Sequence, residues 1–226
     1  MGSTWALLPI KAPARAKSRL AGALDEGERI ALADQLRRDV IAALQAAAGI
    51  DALAILGSAA TARELARSSG ARWLDDDPAL GLSGNIDAGM AVLAREGAGT
   101  VIVVPADLPL LAPADVEALL EAHGEGLSVV PATRDGGTNA LAMTPPGIIA
   151  CCFGEDSARL HLERARQHGL AARLLRPAAA GGFLAGFARD LDTVDDVRWL
   201  CTQPGAGHAR RYLEESGICA RLRADD

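Results

Sequence analysis

Thr100-Val101-Ile102-Val103-Val104-Pro105-Ala106-Asp107-Leu108-Pro109-Leu110-Leu111 is the stretch from which the rest of the chain can be read. Its first half is a short run of mostly β-branched apolar residues with turn signals at both ends. That pattern predicts a strand buried on both faces, as in the middle of a parallel sheet. The run ends at a carboxylate, Asp107, followed by Pro109. In open α/β sheets, ligands bind beyond the carboxyl ends of the strands. An acid at that place is positioned to hold a metal ion. In a generic strand-Asp-x-Pro segment the same residue serves a turn or caps a helix, so its neighbours decide.

Upstream, residues 5–10 read as the first strand. They run into Lys11-Ala12-Pro13-Ala14-Arg15-Ala16-Lys17-Ser18-Arg19-Leu20, which carries four cations within nine residues. Many α/β folds bind nucleotide phosphates at this point. No glycine follows until Gly22, so the loop is neither a Walker loop nor a dinucleotide fingerprint. The charges alone fit a solvated loop equally well. Over residues 25–47, Leu32, Leu36, Val40 and Leu44 recur at intervals of four and predict a long helix. Asp25 and Glu28 have the spacing of a capping box, and Gly49 closes the helix. A strand is predicted at 52–56, a helix at 59–69 stopped by Gly70, and a strand at 71–74. This rhythm predicts a parallel sheet with right-handed crossovers. Asp75-Asp76-Asp77-Pro78 reads as a solvated turn rather than a metal site. Gly81-Leu82-Ser83-Gly84-Asn85 precedes a helix predicted at 86–95. Ser83 or Asn85 caps that helix, or the small residues let a ligand approach closely.

Downstream, Pro113 opens a helix predicted to reach Glu121. A strand follows at 127–132, then Arg134-Asp135-Gly136-Gly137-Thr138-Asn139. Its glycines and threonine can present N–H groups to an anion, or simply turn a hairpin. Phe153-Gly154-Glu155-Asp156-Ser157 precedes a helix predicted to reach His168. Ser157 caps that helix or binds a phosphate there. His161 on the helix reads first as a packing residue. A late strand is predicted at 170–175 and an Ala/Gly-rich loop at 177–186. In Arg189-Asp190-Leu191-Asp192-Thr193-Val194-Asp195-Asp196, the acids at 190 and 192 alternate as at a strand end and share one face. Thr193 is expected to cap the next helix, with Asp195 and Asp196 in its first turn. From Gly205 the chain reads as a polar peripheral tail with one short helix near 208–215, which sets the domain at 1–204.

The chain has 226 residues, half of them hydrophobic and few aromatic, with a net charge of −6. It can fill one generous α/β domain. The charge argues against a general binder of nucleic acid or anionic membrane. No run approaches the ~18 apolar residues of a membrane span, and the N-terminus lacks a signal pattern, so a cytoplasmic protein is expected. Cys151, Cys152, Cys201 and Cys219 form no C-x-x-C pair. Cys151 and Cys152 are expected as small core residues, and neither zinc nor a disulfide is expected.

Asp107, Asp190 and Asp192 can converge on one rim. Hard oxygen ligands without a thiolate or imidazole suit magnesium bound together with substrate phosphates. Lys11, Lys17 and Arg19 would balance a nucleotide triphosphate. The Gly137/Thr138 and Gly154/Ser157 segments would supply a second anion site. Together these features suggest nucleotidyl transfer.

At this point the sequence resembles a known family. Pro9-Ile10-Lys11 with Ala16-Lys17-Ser18-Arg19-Leu20, Pro105-Ala106-Asp107-Leu108-Pro109, Gly136-Gly137-Thr138-Asn139-Ala140-Leu141, Phe153-Gly154-x-x-Ser157 with His161, and Asp190-Leu191-Asp192-Thr193 with Asp196 resemble the phospholactate guanylyltransferases. Those enzymes take part in biosynthesis of the deazaflavin coenzyme F-420. The likeness spans about residues 5–200. It implies a single-domain, Rossmann-like nucleotidyltransferase of the α/β class, with a mostly parallel central sheet flanked by helices, related to the molybdenum-cofactor guanylyltransferases. It implies GTP as donor and 2-phospho-L-lactate, phosphoenolpyruvate or 3-phospho-D-glycerate as acceptor. By the same resemblance, Asp107, Asp190 and Asp192 hold Mg2+ and carry catalysis with Lys17. Lys11, Lys17 and Arg19 contact the GTP phosphates. Thr138, Asn139, Gly154 and Ser157 hold the acceptor, while Ser83 and Asn85 lie near the guanine or ribose. Met90, Asn139 and Met143 are candidates for choosing among acceptors. The loop at 178–186 looks longer than the family pattern, and the tail after Gly205 has no recognised counterpart. Small-molecule substrates are expected, without nucleic acid or membrane, and a homodimer could use the late helix and tail. Two readings compete. Another cofactor or sugar-type nucleotidyltransferase is disfavoured by the missing glycine-rich loop. A non-catalytic nucleotide-binding protein of the same fold is disfavoured by the three retained carboxylates.

Overall fold

In the computed structural model, which describes residues 2–10, 17–178, 182–205 and 207–224, the strand before Asp107 lies in the middle of the sheet. The strands are β1 (Ser3–Pro9), β2 (Ala52–Leu56), β3 (Arg72–Leu74), β4 (Ala98–Val103), β5 (Gly126–Pro131), β6 (Thr138–Thr144) and β7 (Ala172–Leu174). The helices are α1 (Glu26–Ala46), α2 (Ala60–Ser69), α3 (Gly81–Arg95), α4 (Pro113–Ala122), α5 (Ser157–Gln167), α6 (Val194–Thr202), α7 (His208–Glu215) and α8 (Ile218–Ala224). The sheet order is β3-β2-β1-β4-β6-β5-β7. All neighbours are parallel except β6, which is antiparallel to both β4 and β5. The chain is thus a mixed α/β domain with a mostly parallel sheet.

The apolar run of β4 is buried on both sides. Ile102 and Val104 join Ala6 and Leu8 beneath α1, α2 and α4. Val101 and Val103 join Leu7 on the opposite face, beneath α3 and α5. The antiparallel course of β6 has a local cause. Ala132 N–H donates to Gly137 O at 2.9 Å, so the chain turns back within a few residues. That is too short for the crossover a parallel partner requires.

Several boundaries differ from expectation. Asp25 caps α1 and its reciprocal bonds with Glu28 form, but α3 begins at Gly81, five residues early. Ser83 and Asn85 therefore lie inside the helix and cap nothing. Asp190 and Asp192 are not on a strand end. They lie in an irregular segment between a 3-10 turn (Ala185–Phe187) and α6. Gly186 seats that turn on the Leu110–Leu111 corner, where an added Cβ would meet Leu110 O at 2.7 Å. The acidic segment is thereby brought down on the loop after β4.

The expectation of a peripheral tail does not hold. Ala209, Leu213, Ile218 and Leu222 are buried with Leu32 and Leu36 of α1 and Val197 and Leu200 of α6 in a third apolar cluster. Asp39 on α1 accepts from His208 N–H at 2.7 Å and Ala209 N–H at 2.9 Å, tying down the start of α7. The cysteine expectation is corrected too: Cys201 and Cys219 form a disulfide between α6 and α8. No motif announces it, because the two sulfurs meet only through helix packing. Cys151 is a buried free thiol, as expected, while Cys152 is only partly buried. Among the described residues no helix is long and apolar enough to cross a membrane.

The disulfide links residues 18 apart. Its reduction is expected to cost about 3 kcal/mol of stability through loop-closure entropy. Urea unfolding with and without a dithiol checks this. Coincident midpoints would show that packing alone holds α8.

Candidate active site

The loop after β4 and the segment before α6 are joined by one backbone bond, Leu191 N–H to Asp107 O at 3.0 Å. That bond sets Asp107 beside Asp190 and Asp192. Lys17 enters from the loop after β1 in a left-handed backbone conformation, φ 54°, which is costly for a non-glycine residue. Its side chain is 7% exposed, and Nζ donates to Asp107 Oδ2 at 2.8 Å and Asp192 Oδ1 at 3.0 Å. Arg19 Nη1 stands 3.7 Å from Asp192 Oδ2. Arg134 Nη2 reaches Asp190 Oδ2 at 3.3 Å and Asp192 Oδ2 at 3.4 Å, while its Nη1 donates to Asp196 at 2.8 Å.

The electrostatics follow from this crowding. Burial alone would lower the Lys17 pKa, but Asp107 and Asp192 outweigh it and raise it above the ordinary lysine value. Asp190 is pushed up to about 6 by burial and by the charges of Asp107 and Asp192, with Arg134 opposing. Asp192 is half-buried, which opposes its charge, yet Lys17, Arg134 and Arg19 hold it below the usual carboxylate range. Among the described residues no three acidic, histidine or cysteine side chains close into a ready metal cage. The donor set still fits a hard divalent ion. Mg2+ is commonly held by one or two carboxylates plus substrate phosphates, without an all-protein cage. The ammonium and guanidinium between these acids mark the place where positive charge is required.

The second group of candidate residues lies at the start of β6 and α5. Thr138 Oγ1 is 2.9 Å from Ser157 Oγ and 3.2 Å from His161 Nδ1. Cys152 N–H donates to His161 Nε2 at 3.0 Å. That bond makes Nε2 the acceptor and leaves the proton on Nδ1, facing Thr138. The wiring that uses every proton has Thr138 donating to Ser157 Oγ. Gly154, at φ 143°, sits in the turn before α5.

A family model described as "Guanylyl transferase CofC like" matches residues 4–224. The chain belongs to this guanylyl transferase family. It is 36% identical over 212 residues to the phosphoenolpyruvate guanylyltransferase of Rubrobacter xylanophilus, covering 92% of this chain and 98% of that one. It is 32% identical over 203 residues to the 3-phospho-D-glycerate guanylyltransferase of Phenylobacterium zucineum, covering 87% and 90%. A solved Desulfovibrio desulfuricans structure, described as a nucleotide-diphospho-sugar transferase, superposes with a TM-score of 0.80 at 18% identity, covering 99% and 98%. That likeness speaks for the fold. As a member of the CofC-like family, the chain is a nucleotidyltransferase whose activity is guanylyl transfer. The match reaches past Gly205, so α7 and α8 have counterparts in the family.

Of the residues singled out in the sequence, the fold of this guanylyl transferase brings Lys17, Arg19, Asp107, Asp190 and Asp192 together. Thr138, Gly154, Ser157 and His161 gather in the second group. Lys11 lies outside the described residues. Others are occupied elsewhere. Asn139 Nδ2 donates to Phe187 O at 2.8 Å and fastens the 3-10 turn. Asn85 bonds Asp77 N–H, Asp77 O and Gly81 O, holding the turn before α3. Ser83 Oγ accepts from Phe153 N–H at 2.9 Å. Met90 and Met143 are fully buried beneath the sheet, on the α3 and α5 face. Met143 points there from strand β6 and Met90 from helix α3, and both side chains pack into the core. Sequence reasoning gave Arg134 and Arg189 no role and, although Asp196 stands in the family motif, read it only as a first-turn acid. Asp196 is 2% exposed and accepts from Arg134, Arg189 and the N–H groups of Asp192 and Thr193. The usable signal was the capping-box spacing from Thr193.

His161 yields a pH prediction. Burial, with Arg164 adding, lowers its pKa to about 4, and protonation would put an N–H against Cys152 N–H. The unfolded chain takes up the proton near pH 6.5 and the folded chain only near 4. Stability is therefore full above pH 6.5 and falls as pH drops from 6.5 to 4, by on the order of 3 kcal/mol. His123, also lowered to about 4 by burial and Arg173, acts in the same direction. Urea midpoints across pH 4–8 for the wild type and His161→Asn check this. Equal slopes in both proteins would remove His161 from the account.

Proposed function

We propose that this chain transfers GMP from GTP to a small phosphorylated three-carbon acid, releasing pyrophosphate, in coenzyme F-420 biosynthesis. The observation that carries the reading is the convergence of Lys17, Asp107, Asp190 and Asp192 at the carboxyl ends of the sheet, beside the Thr138–Ser157–His161 group. A phosphate oxygen of the acceptor attacks the α-phosphorus of GTP. The new P–O bond forms as the bond to the β-phosphate oxygen breaks, and the electron pair leaves with pyrophosphate. The acceptor oxygen is already ionised, so no general base is needed, and catalysis is positioning plus charge neutralisation. Lys17 and Arg19 bind the triphosphate. Thr138, Gly154 and Ser157 orient the acceptor, with His161 fixing the direction of the Thr138 and Ser157 hydroxyl protons. Asp107, Asp190 and Asp192 would hold magnesium, which when bound neutralises charge developing on the phosphate oxygens. Leu80 and Leu82 are exposed near the start of α3, and Asp76 Oδ1 is a buried acceptor without a partner. These features suit a base that donates hydrogen bonds along one edge, as guanine does. We place the reaction in the cytoplasm.

The test is pyrophosphate release from purified protein with GTP and magnesium. Phosphoenolpyruvate, named in the relative at 36% identity, is the first acceptor to try. 2-Phospho-L-lactate and 3-phospho-D-glycerate are run in parallel, with CTP and ATP as donor controls. Acceptor-dependent release with GTP is expected. Equal release with CTP would contradict the donor assignment.

A further inference from the structure

The chain of charges at the site is continuous: Asp107, Lys17, Asp192, Arg134, Asp196, Arg189. Its links are unequal. Arg134 Nη1 is held by the buried Asp196 at 2.8 Å, whereas Nη2 touches Asp190 and Asp192 at 3.3 and 3.4 Å. The guanidinium is thus anchored at one end and loosely laid over two of the three carboxylates at the other. Arg189 is placed differently. It pairs with Asp196 at 2.7 Å through its edge and lies over the Trp199 ring at 4.5 Å with one face, so it is held on two sides. Arg134 also opens the acceptor segment. Asp135, the next residue, accepts from Gly137 N–H at 2.9 Å, and Thr138 follows directly.

We propose that Arg134 is a charge gate on the carboxylate pair: anchored on Asp196, it occupies Asp190 and Asp192 in the free enzyme and yields them when a metal–triphosphate complex arrives. The inference rests on the reading of Asp107, Asp190 and Asp192 as the metal-holding acids. A lone divalent ion must displace the guanidinium without compensation. A triphosphate arriving with the ion gives the released Nη2 new acceptors, and a planar guanidinium is well matched to phosphate oxygens. Pivoting on Asp196 leaves the anchor bond intact. Arg134 is therefore a positioning residue that couples metal loading to nucleotide binding.

The test reads metal affinity directly, using Mn2+ as the probe and electron paramagnetic resonance of the unbound ion. Wild type, Arg134→Ala, Arg134→Gln and Arg134→Lys are titrated with and without GTP. Without nucleotide, the Ala and Gln variants are expected to bind Mn2+ about three- to tenfold more tightly than wild type, because a competing cation is gone. The same variants are expected to lose roughly tenfold or more in turnover. Arg134→Lys should fall between, since one ammonium cannot span Asp196 and both acids. A merely structural role would weaken metal binding and turnover together. Unchanged or weaker Mn2+ binding in the Ala and Gln variants overturns the gate. If Arg134→Ala fails to fold, Arg134→Gln keeps a hydrogen bond to Asp196 without the charge and decides alone. Asp107→Asn in the GTP-containing titration separates the two levels. If it binds Mn2+ with GTP as wild type does, the metal reading itself is wrong. If it binds less while the Arg134 variants are unshifted, only the gate fails.

Discussion

Asp107→Asn is expected to lower turnover by a factor of about 100 to 1000 while leaving the fold intact. The magnitude is that of removing one preorganised electrostatic partner from a phosphoryl-type centre. The fold should survive because Lys17, the only side chain Asp107 pairs with among the described contacts, keeps Asp192 at 3.0 Å. The Leu191–Asp107 bond also uses the backbone carbonyl and not the carboxylate. Turnover is read as acceptor-dependent pyrophosphate release at saturating magnesium, with unfolding midpoints measured alongside. A variant within tenfold of wild type, and still metal-dependent, would mean that Asp107 is a turn residue. Its position before a proline would equally permit that.

Among single substitutions, the largest effect on stability is expected at Asp196. Asp195 and Asp196 are adjacent acids in the first turn of α6, and by sequence they are equivalent. In the structure Asp195 is 83% exposed on its side chain, while Asp196 is 2% exposed and pairs with two arginines. Asp196→Ala should cost about 3 kcal/mol, because the arginines and the Asp192 and Thr193 N–H groups lose a buried partner. Asp195→Ala should stay within ~0.5 kcal/mol. Burial opposes ionisation of Asp196, but the hydrogen bonds from Asp192, Thr193 and Arg189 prevail and hold its pKa well below the usual range. Its contribution is therefore complete above about pH 4, the unfolded value, and is lost as pH falls further. Urea unfolding at neutral pH compares the pair directly. Similar losses for both would show that Asp196 acts only through the helix dipole.

The sequence was informative where one local rule dominated. β4 needs apolar residues on both faces, and α1 shows its period and its capping box, so both were legible. The placement of Asp107 at the end of a central strand followed. The carboxylates at 190 and 192 were legible as a pair but not in their setting. Alternation about Leu191 imitates a strand, whereas a single backbone bond to Asp107 and the seat of Gly186 hold them. The same limit hid Arg134, whose partner Asp196 is 62 residues away, Arg189, which reaches Asp196 from an irregular segment, and the Cys201–Cys219 link, which needs α6 and α8 to meet. Asn85 and Asn139 looked like ligand contacts because amides are versatile, and here they satisfy backbone groups of neighbouring turns. α7 and α8 were underrated because a polar average concealed Ala209, Leu213, Ile218 and Leu222, whose spacing points one stripe at α1 and α6.

The central claim is that this site joins GMP to the phosphate of a three-carbon acid. Phosphorus-31 nuclear magnetic resonance of the wild-type reaction with GTP, magnesium and phosphoenolpyruvate tests it most directly, with 2-phospho-L-lactate and 3-phospho-D-glycerate in parallel samples. The account predicts, with at least one acceptor, a new pair of mutually coupled phosphorus resonances from a diphosphate linkage, appearing together with pyrophosphate and absent with Asp107→Asn. Conversion of GTP to GDP and inorganic phosphate, or no change with any of the three acceptors, would contradict it.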